Sequence, residues 1–260
     1  MITVGIDAGA ATTKGVLLLD CEIAGYRIDS TAFDFLSTAG KLFEELLETS
    51  DFRREDVAKV YATGYGRKMV TFANATVSEI TAHAKGVHFF YPSARGIIDV
   101  GGQDSKIIVV EEGRVIDFLM NDKCAAGTGK FLEYTAKALE VRIEDLGSLA
   151  LGSIHPATIT SICTVFAESE VISFRAQGIS RADIAAGLIV NIAQRIVIMA
   201  RRMALKEPIV FVGGVAKNSG MRAELEKELD VTLSVPSEPQ ITGALGAALV
   251  AQKPEKRPSA

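Results

Sequence analysis

The sequence has few of the side chains from which metal sites and disulfide frameworks are usually built. Its 260 residues contain only three cysteines and three histidines. Three cysteines do not make the disulfide framework of a small secreted domain, so metal binding or redox chemistry is the better use for them. The histidines, His83, His88 and His155, lie in unrelated segments without ligand spacing, and we expect them to be structural.

An excess of charge and a long uninterrupted apolar run are missing as well. The chain has 28 basic and 32 acidic residues, and no cluster of lysines and arginines predicts a nucleic-acid partner. The first residues are typical of a strand and not of a targeting segment. The longest apolar stretch, residues 185–200, is interrupted by polar side chains at positions 191, 194 and 195. We therefore expect a cytoplasmic protein without a membrane segment.

Strand and helix patterns alternate along the chain, which predicts an α/β fold. An opening of strand, glycine turn and strand occurs at the start and recurs in the middle. Strands are expected at residues 4–7, 16–19, 57–63, 97–100, 106–110 and 209–212, and helices at 39–48 and 78–87. A further helix carrying Met221, Leu225 and Leu229 is expected after the third glycine turn, and a helix of small residues from about 242.

Three glycine turns are the clearest functional signal. Asp7 and Asp99 each end a predicted strand directly before a glycine turn, and a third turn without an aspartate follows at residues 213–214. Such a turn brings a carboxylate next to backbone N–H groups, which suits a phosphate together with hydrated Mg²⁺. One glycine after a strand is most often only a tight turn. Two such turns in repeated units, with a third downstream, indicate nucleotide binding.

Two of the cysteines are expected to open helices, one starting at Ala125 and one at Thr164. The free N–H groups and the positive end of a helix dipole stabilise thiolate over thiol, so Cys124 and Cys163 are prepared to bind metal or react. Two thiolates are half of a four-cysteine site. The third, Cys21, follows an apolar strand near a turn, and we expect it to pack as a small hydrophobic residue without a function.

These motifs together resemble a known family. The three turns are similar to those of the sugar kinase, actin and heat-shock ATPase superfamily. Residues 62–67, 99–104, 120–129 and 163–170 narrow the resemblance, over nearly the whole chain, to the activators of 2-hydroxyacyl-CoA dehydratases and benzoyl-CoA reductases, which are BadF/BadG/BcrA/BcrD-like ATPases.

The resemblance implies an α/β fold of two ribonuclease-H-like halves of the actin and hexokinase type, each with a mixed central sheet, and an ATP cleft between them. The first half is expected at residues 1–95, with a C-terminal helix at about 241–252 returning to it. The second half, which carries both cluster cysteines, is expected at 96–240. A disordered tail is expected at 253–260.

The resemblance also implies a function. Members of the family are homodimeric ATPases whose two subunits share one 4Fe-4S cluster. They pass single low-potential electrons to a partner iron-sulfur protein, with a ferredoxin or flavodoxin as donor. The cluster ligands of the family fall on Cys124 and Cys163 of this sequence. Because a cubane cluster needs four thiolates and this chain offers two, a two-fold axis would supply the others.

The same resemblance assigns roles at the nucleotide. Asp7 and Asp99 would organise Mg²⁺ and the attacking water, with Asp104 in support and Gln103 orienting water or the γ-phosphate. Residues 10–11 are alanines where relatives usually have Ser-Thr, so backbone N–H groups would bind phosphate there. The expected nucleotide contacts are Gly9, Ala10, Ala11, Thr12, Thr13, Lys14, Gly101, Gly102, Gln103, Gly127, Thr128, Gly129, Gly213, Gly214, Asn218 and Gln240.

Alternatives stay open at several residues. Asn218 and Gln240 suit a helix cap or a loop hydrogen bond equally well, and Lys14 suits a solvated strand face. Glu168 and Glu170 either lie in the first turns of their helix because the helix dipole favours acidic residues there, or face a partner protein. Two other functions also use glycine turns: a small-molecule kinase of the sugar type and a non-redox nucleotide switch. Neither needs the two cysteines.

Overall fold

The computed structural model describes residues 1–161 and 163–252, and the predicted tail at 253–260 lies outside them. The described chain forms two compact units. The first comprises Met1–Ser93, Glu111–Val115 and the C-terminal segment from Gln240. The second comprises Ala94–Val110 and Ile116–Pro239. The short segment around Gly113 groups with the first unit because Gly113 packs against the His88 side chain.

The regular elements of the described residues are numbered in chain order. The strands are β1 Ile2–Ala8, β2 Thr12–Leu19, β3 Glu22–Ser30, β4 Val57–Thr63, β5 Ala75–Thr76, β6 Gly96–Val100, β7 Ser105–Glu111, β8 Arg114–Asn121, β9 Ile209–Val212 and β10 Leu233–Ser234. The α-helices are α1 Phe35–Thr49, α2 Glu79–Phe90, α3 Gly129–Leu139, α4 Ile143–Leu151, α5 Thr164–Ala176, α6 Arg181–Arg202, α7 Ser219–Leu229 and α8 Thr242–Ala251.

The two units contain sheets of the same topology. The strand order is β3-β2-β1-β4-β5 in the first and β8-β7-β6-β9-β10 in the second. In each sheet the central strand pairs antiparallel with the strand that follows it, and parallel with a strand that arrives after a helix. This is the mixed sheet expected of ribonuclease-H-like halves, so the predicted fold class is confirmed.

Helix α8 lies close against the first sheet because both surfaces are built from small residues. The Thr3 hydroxyl donates a hydrogen bond of 3.1 Å to the Ala248 carbonyl. A Cβ on Gly5 would overlap the Ala244 carbonyl oxygen, so a larger residue there would push the helix away. The small-residue helix expected from position 242 therefore belongs to the core that holds β1.

The core of the second unit is built around the long helix α6. This helix is long enough to cross a membrane, and its most apolar stretch has a mean hydropathy of 1.6. Its polar residues therefore do not by themselves exclude a membrane span, contrary to the expectation from the sequence. Its buried residues, however, pack with Phe131, Phe211 and Leu225. A core helix of the second unit accounts for its composition.

The hairpin between β2 and β3 corrects one expectation. Asp20 and Cys21 both have positive φ, 47° and 69°, as a two-residue turn of this kind requires. Cys21 is therefore exposed at the tip of the hairpin, where its thiol donates to Gln252 Oε1 at 2.9 Å. The prediction that it packs as a small hydrophobic residue is wrong.

A carboxylate in the first turn of α6 anchors the loop that follows α4. Asp183 accepts hydrogen bonds from the hydroxyls of Ser153 and Ser180, both at 2.7 Å, and from the His155 N–H at 3.0 Å. These hydrogen bonds lower the pKa of Asp183 to about 2. The Ser153 hydroxyl contributes most, followed by the Ser180 hydroxyl and then the backbone N–H groups.

This shift predicts a pH dependence of stability. Because the pKa is lower in the folded than in the unfolded chain, the stabilisation is complete above about pH 4 and is lost as pH falls towards 2. We expect Asp183→Asn to lower the urea midpoint at pH 5, and the difference from the wild type to shrink as the pH is lowered. A difference that stayed constant from pH 5 to pH 2 would contradict the assignment.

Candidate functional site

The first glycine turn follows an aspartate that is paired with a lysine. Asp7, the penultimate residue of β1, lies opposite Lys14 of β2 in the sheet register. The Lys14 ammonium is 3.2 Å from Asp7 Oδ2, and the two side chains are only 14% and 9% exposed. Lys14 therefore lies beside Asp7 and not on a solvated strand face.

The turn itself offers mostly backbone groups. Residues 9–11 connect β1 to β2, and Ala11 is exposed while Gly9 and Ala10 are half-buried. Thr12 starts β2 at the rim, but Thr13 is buried, with its hydroxyl 2.9 Å from that of Thr31. The Thr31 hydroxyl in turn donates to the Gly9 carbonyl at 2.7 Å. Thr13 thus braces the turn from inside.

Asp7 is also enclosed by two glycines, Gly64 and Gly243, which the sequence analysis did not place beside it. A Cβ on Gly64 would overlap Asp7 Oδ1, and one on Gly243 would lie 3.0 Å from Oδ2 and 3.5 Å from the His83 ring. His83 is buried, and its Nδ1 is 3.0 Å from the Thr242 hydroxyl. The glycines of the motif at residues 62–67 were a signal for this contact, whereas nothing in the sequence connects His83 with position 242.

The second turn follows a similar pair with one more carboxylate. Asp99 of β6 lies opposite Lys106 of β7, and the ammonium is 3.0 Å from Asp99 Oδ2 and 2.8 Å from Asp104 Oδ1. Lys106 and Asp99 are 3% and 4% exposed, and Asp104 is 27% exposed. Sequence reasoning missed Lys106, although it follows Asp99 by the same seven residues by which Lys14 follows Asp7.

The second turn is tied directly to the start of α3. The turn is closed by a hydrogen bond from the Gly101 N–H to the Asp104 carbonyl at 2.9 Å, and Gln103 is exposed on it. The Gly129 and Lys130 N–H groups donate to the carbonyls of Gly101 and Gly102 at 2.9 and 2.8 Å. These two donors at the helix N-terminus are therefore used by the turn itself.

The residues that precede α3 are held inside the second unit. Thr128, one of the predicted nucleotide contacts, is fully buried, and its hydroxyl donates to the Ala125 carbonyl at 2.7 Å. Gly127 lies near Asn121 and Arg195, at the distances of ordinary van der Waals contact. This segment thus packs between the glycine turn and the cysteine that precedes it.

The third turn contacts Asp99 through a glycine. Gly213 follows β9 with φ of 87°, and a Cβ there would lie 2.6 Å from Asp99 Oδ1 and would overlap the Val100 carbonyl. Gly214 starts a short 3-10 helix, Gly214–Lys217. A left-handed residue without a side chain is therefore needed where the second and third turns meet.

The two amide side chains predicted near adenosine lie in different settings. Asn218 is the N-cap of α7, and its side-chain oxygen accepts from the Met221 N–H at 2.9 Å. Asn218 therefore acts as a helix cap, which was one of the alternatives that the sequence left open. Gln240 is half-buried at the point where the chain enters the first unit for its last helix.

Cys163 lies where the sequence predicts it. It is the exposed N-cap residue of α5, and its carbonyl accepts the Ala167 N–H at 2.9 Å. The positive end of this helix therefore lies at the sulfur-bearing residue, which favours an anionic metal group there.

The prediction that a helix starts at Ala125 is wrong, because α3 begins only at Gly129. Residues 125–128 form a turn in which the Thr128 N–H donates to the Ala125 carbonyl at 3.1 Å, and Gly127 has φ of 89°. Cys124 is exposed in this loop, and Asn121 Nδ2 holds the Cys124 carbonyl at 2.9 Å. The helix-dipole argument applies to Cys163 and fails for Cys124.

The thiols of one chain do not make a complete metal site. Within residues 1–161 and 163–252, no three side chains of His, Cys, Asp or Glu converge as metal ligands would. Cys124 and Cys163 are both exposed in the second unit, whereas Cys21 belongs to the first. Two exposed thiols fit half of the four-thiolate ligand set of an iron-sulfur cluster.

Glu170 fixes the segment that precedes Cys163. Its carboxylate accepts from the N–H and the hydroxyl of Thr160, both at 3.0 Å, and from the Ser161 N–H at 2.9 Å. Burial alone would raise the pKa of Glu170, but these hydrogen bonds lower it overall. Glu170 thus binds its own chain, while Glu168 on the same helix is exposed.

This contact predicts the effect of Glu170→Gln. The variant loses a charged acceptor, and hydrogen bonds to charged groups contribute about 1.5–3 kcal/mol each. We expect amide hydrogen exchange at Thr160 and Ser161 to become about tenfold faster or more. Glu168→Gln removes the same charge from the same helix and should leave both amides protected. Equal exchange in the two variants would show that Glu170 does not hold the segment.

Comparison with known proteins places the chain in a family. Residues 4–251 match the BadF/BadG/BcrA/BcrD ATPase family. The chain is 44% identical to the 2-hydroxyisocaproyl-CoA dehydratase activator of Clostridioides difficile, over 96% of this chain and 95% of that protein. It is 42% identical to the (R)-2-hydroxyglutaryl-CoA dehydratase activating ATPase of Acidaminococcus fermentans, over 96% and 97%.

A solved structure of the first of these activators, from Clostridium difficile with bound ADPNP, matches with a TM-score of 0.93 at 43% identity and covers 96% of this chain and 94% of that one. The family match, the two close relatives and this structure agree with the glycine turns described above. The chain therefore belongs to the BadF/BadG/BcrA/BcrD ATPase family.

Proposed function

We propose that this protein uses ATP hydrolysis to drive single electrons from a 4Fe-4S cluster into a partner iron-sulfur enzyme. The partner would be a 2-hydroxyacyl-CoA dehydratase, a benzoyl-CoA reductase or a double-cubane protein. One observation carries the proposal: the second glycine turn is hydrogen-bonded to Gly129 and Lys130, only a few residues beyond the exposed Cys124. The names of the close relatives, dehydratase activators and an activating ATPase, support it.

At the nucleotide, we assign Asp7 and Asp99, with Asp104 in support, to hydrated Mg²⁺ and the attacking water, and Gln103 to orienting water or the γ-phosphate. Carboxylate oxygens are the ligands that Mg²⁺ prefers, and the exposed position of Gln103 on its turn suits contact with water or the γ-phosphate. When bound, Mg²⁺ would neutralise charge on the phosphates. Asp7 and Asp99 are each paired with a lysine, half-buried Lys14 and buried Lys106 respectively, which favours holding the ion through water.

At the cluster, we assign Cys124 and Cys163 as the ligands from one subunit of a homodimer. The cluster would supply one-electron chemistry, with a ferredoxin or flavodoxin as electron donor. Val165 and Phe166 are 67% and 68% exposed on the first turn of α5, directly after Cys163. Apolar side chains in such a position favour burial against a second copy of the chain.

The energetics allow coupling of the two sites. Raising one electron through a few hundred millivolts requires on the order of 5–10 kcal/mol. Movement of residues 101–104 on nucleotide binding would reach the Cys124 loop through the hydrogen bonds of Gly129 and Lys130. Nucleotide state and partner binding would then bias each other.

Anaerobic purification followed by an ATPase assay tests the proposal. We expect a brown dimer with about two irons per chain. We expect slow ATP hydrolysis by the protein alone and faster hydrolysis with a reductant and a 2-hydroxyacyl-CoA dehydratase. A colourless monomer that phosphorylates a sugar would identify a kinase, and a colourless protein whose hydrolysis ignores reductant and partner would identify a nucleotide switch. Either result would overturn the proposal.

A further inference from the structure

Lys106 is the least explained charged group of the ATPase site. Its ammonium lies 3.0 Å from Asp99 Oδ2 and 2.8 Å from Asp104 Oδ1, and its side chain is 3% exposed. A buried ammonium is costly to desolvate unless neighbouring charges compensate it. Its placement between two carboxylates therefore calls for an account in terms of the site.

The three groups together carry one net negative charge. Without the ammonium, two carboxylates would face each other at one edge of the glycine turn. Two adjacent carboxylates in a poorly solvated site either take up a proton or bind a divalent cation. Lys106 fills the position that such a cation would take.

We propose that Lys106 is a positioning residue that keeps Mg²⁺ from being chelated by Asp99 and Asp104 together in the absence of nucleotide. The inference rests on the proposed role of these two carboxylates at the metal. With Lys106 between them, Asp104 presents the more exposed carboxylate, and the ion enters together with the phosphates that complete its coordination. The site then binds the ion through water and releases it with the product.

The first unit provides the matched comparison. Lys14 occupies the same register position opposite Asp7, and in the described part of the chain it pairs with that carboxylate alone. Removing Lys14 leaves one carboxylate, which is a poor chelator by itself. Removing Lys106 leaves two.

Cation binding without nucleotide tests the proposal, with Mn²⁺ as the probe for Mg²⁺ in isothermal titration calorimetry on the full-length protein. We expect Lys106→Met to bind Mn²⁺ at least tenfold more tightly than the wild type and to hydrolyse ATP more slowly. Lys14→Met should show no gain in Mn²⁺ affinity. A lysine that only stabilises the strand would not create a cation site when removed. A folded Lys106→Met protein with wild-type Mn²⁺ affinity would overturn the proposal.

A charge-compensated variant guards against misfolding. Lys106→Met combined with Asp104→Asn restores one net negative charge, so it should fold and bind Mn²⁺ as weakly as the wild type. If the double variant keeps the gain in affinity, or if neither variant folds, the neutralising role of Lys106 is wrong. The titration does not depend on the cluster or the partner. Loss of iron or of partner-stimulated turnover would therefore contradict the proposed function and leave the Mn²⁺ result standing.

Discussion

Replacing Cys163 with serine is expected to yield a colourless protein that still hydrolyses ATP. The hydroxyl is a poor iron ligand, and each dimer would lose two of its four thiolates, so the 4Fe-4S cluster should not be retained. Cys163 is exposed at the N-terminus of α5, and within the described residues its carbonyl bonds the Ala167 N–H of the same helix and not a glycine turn. Iron content should fall from about two per chain to near zero, and electron transfer to the partner with it.

The other two cysteines provide the comparison for this result. Cys124→Ser should lose iron in the same way, because it removes the other pair of thiolates. Cys21→Ser should keep the full iron content, since Cys21 lies at a hairpin tip in the first unit, bonded to Gln252. Iron, visible absorbance and basal ATPase activity are measured on each anaerobically purified variant. Retention of the cluster in Cys163→Ser, or its loss in Cys21→Ser, would refute the ligand assignment.

Sequence patterns predicted several buried strands well, but they missed the buried helix α6 and the half-exposed strand β3. Strand β4 has the predicted bounds, Val57–Thr63, because its apolar residues face a core. Strand β3, Glu22–Ser30, was missed because it is half-exposed and its apolar residues are interspersed with glycine and polar residues, so no apolar run reveals it. The start of α3 was misplaced because a single left-handed glycine, Gly127, delays the helix by a turn.

Features of the candidate site that lie within one stretch of sequence could be predicted. Contacts that depend on how distant strands and helices pair could not. An aspartate before a glycine turn is visible in one stretch, so Asp7 and Asp99 could be proposed from the sequence. Lys106 meets Asp99 only through pairing across two strands, and His83 contacts Thr242 only because a helix from the far end of the chain packs beside it. Asn218 was ambiguous because its role as a cap depends on where α7 begins.

Gly213→Ala is expected to disable nucleotide binding and to destabilise the second unit. A Cβ at this position would overlap the Val100 carbonyl and lie 2.6 Å from Asp99 Oδ1, and the residue also has φ of 87°. Backbone strain and the displacement of β6 together should cost about 2–4 kcal/mol. Because the displaced carboxylate belongs to the nucleotide site proposed above, affinity for a nonhydrolysable ATP analogue should fall tenfold or more. Thermal unfolding and analogue titration measure the two effects.

Gly178→Ala separates the effect of the Cβ overlap at Gly213 from the effect of a positive φ. Gly178 has a comparable φ of 77°, but no heavy atom of the described chain lies within 4 Å of its Cβ position. An alanine there should cost only the left-handed conformation, about 1–2 kcal/mol, and should leave analogue affinity unchanged. If both variants lost stability equally and neither lost affinity, the contact between Gly213 and Asp99 would have no part in the site. If only Gly213→Ala loses affinity, the third turn sets the position of the carboxylate at the second.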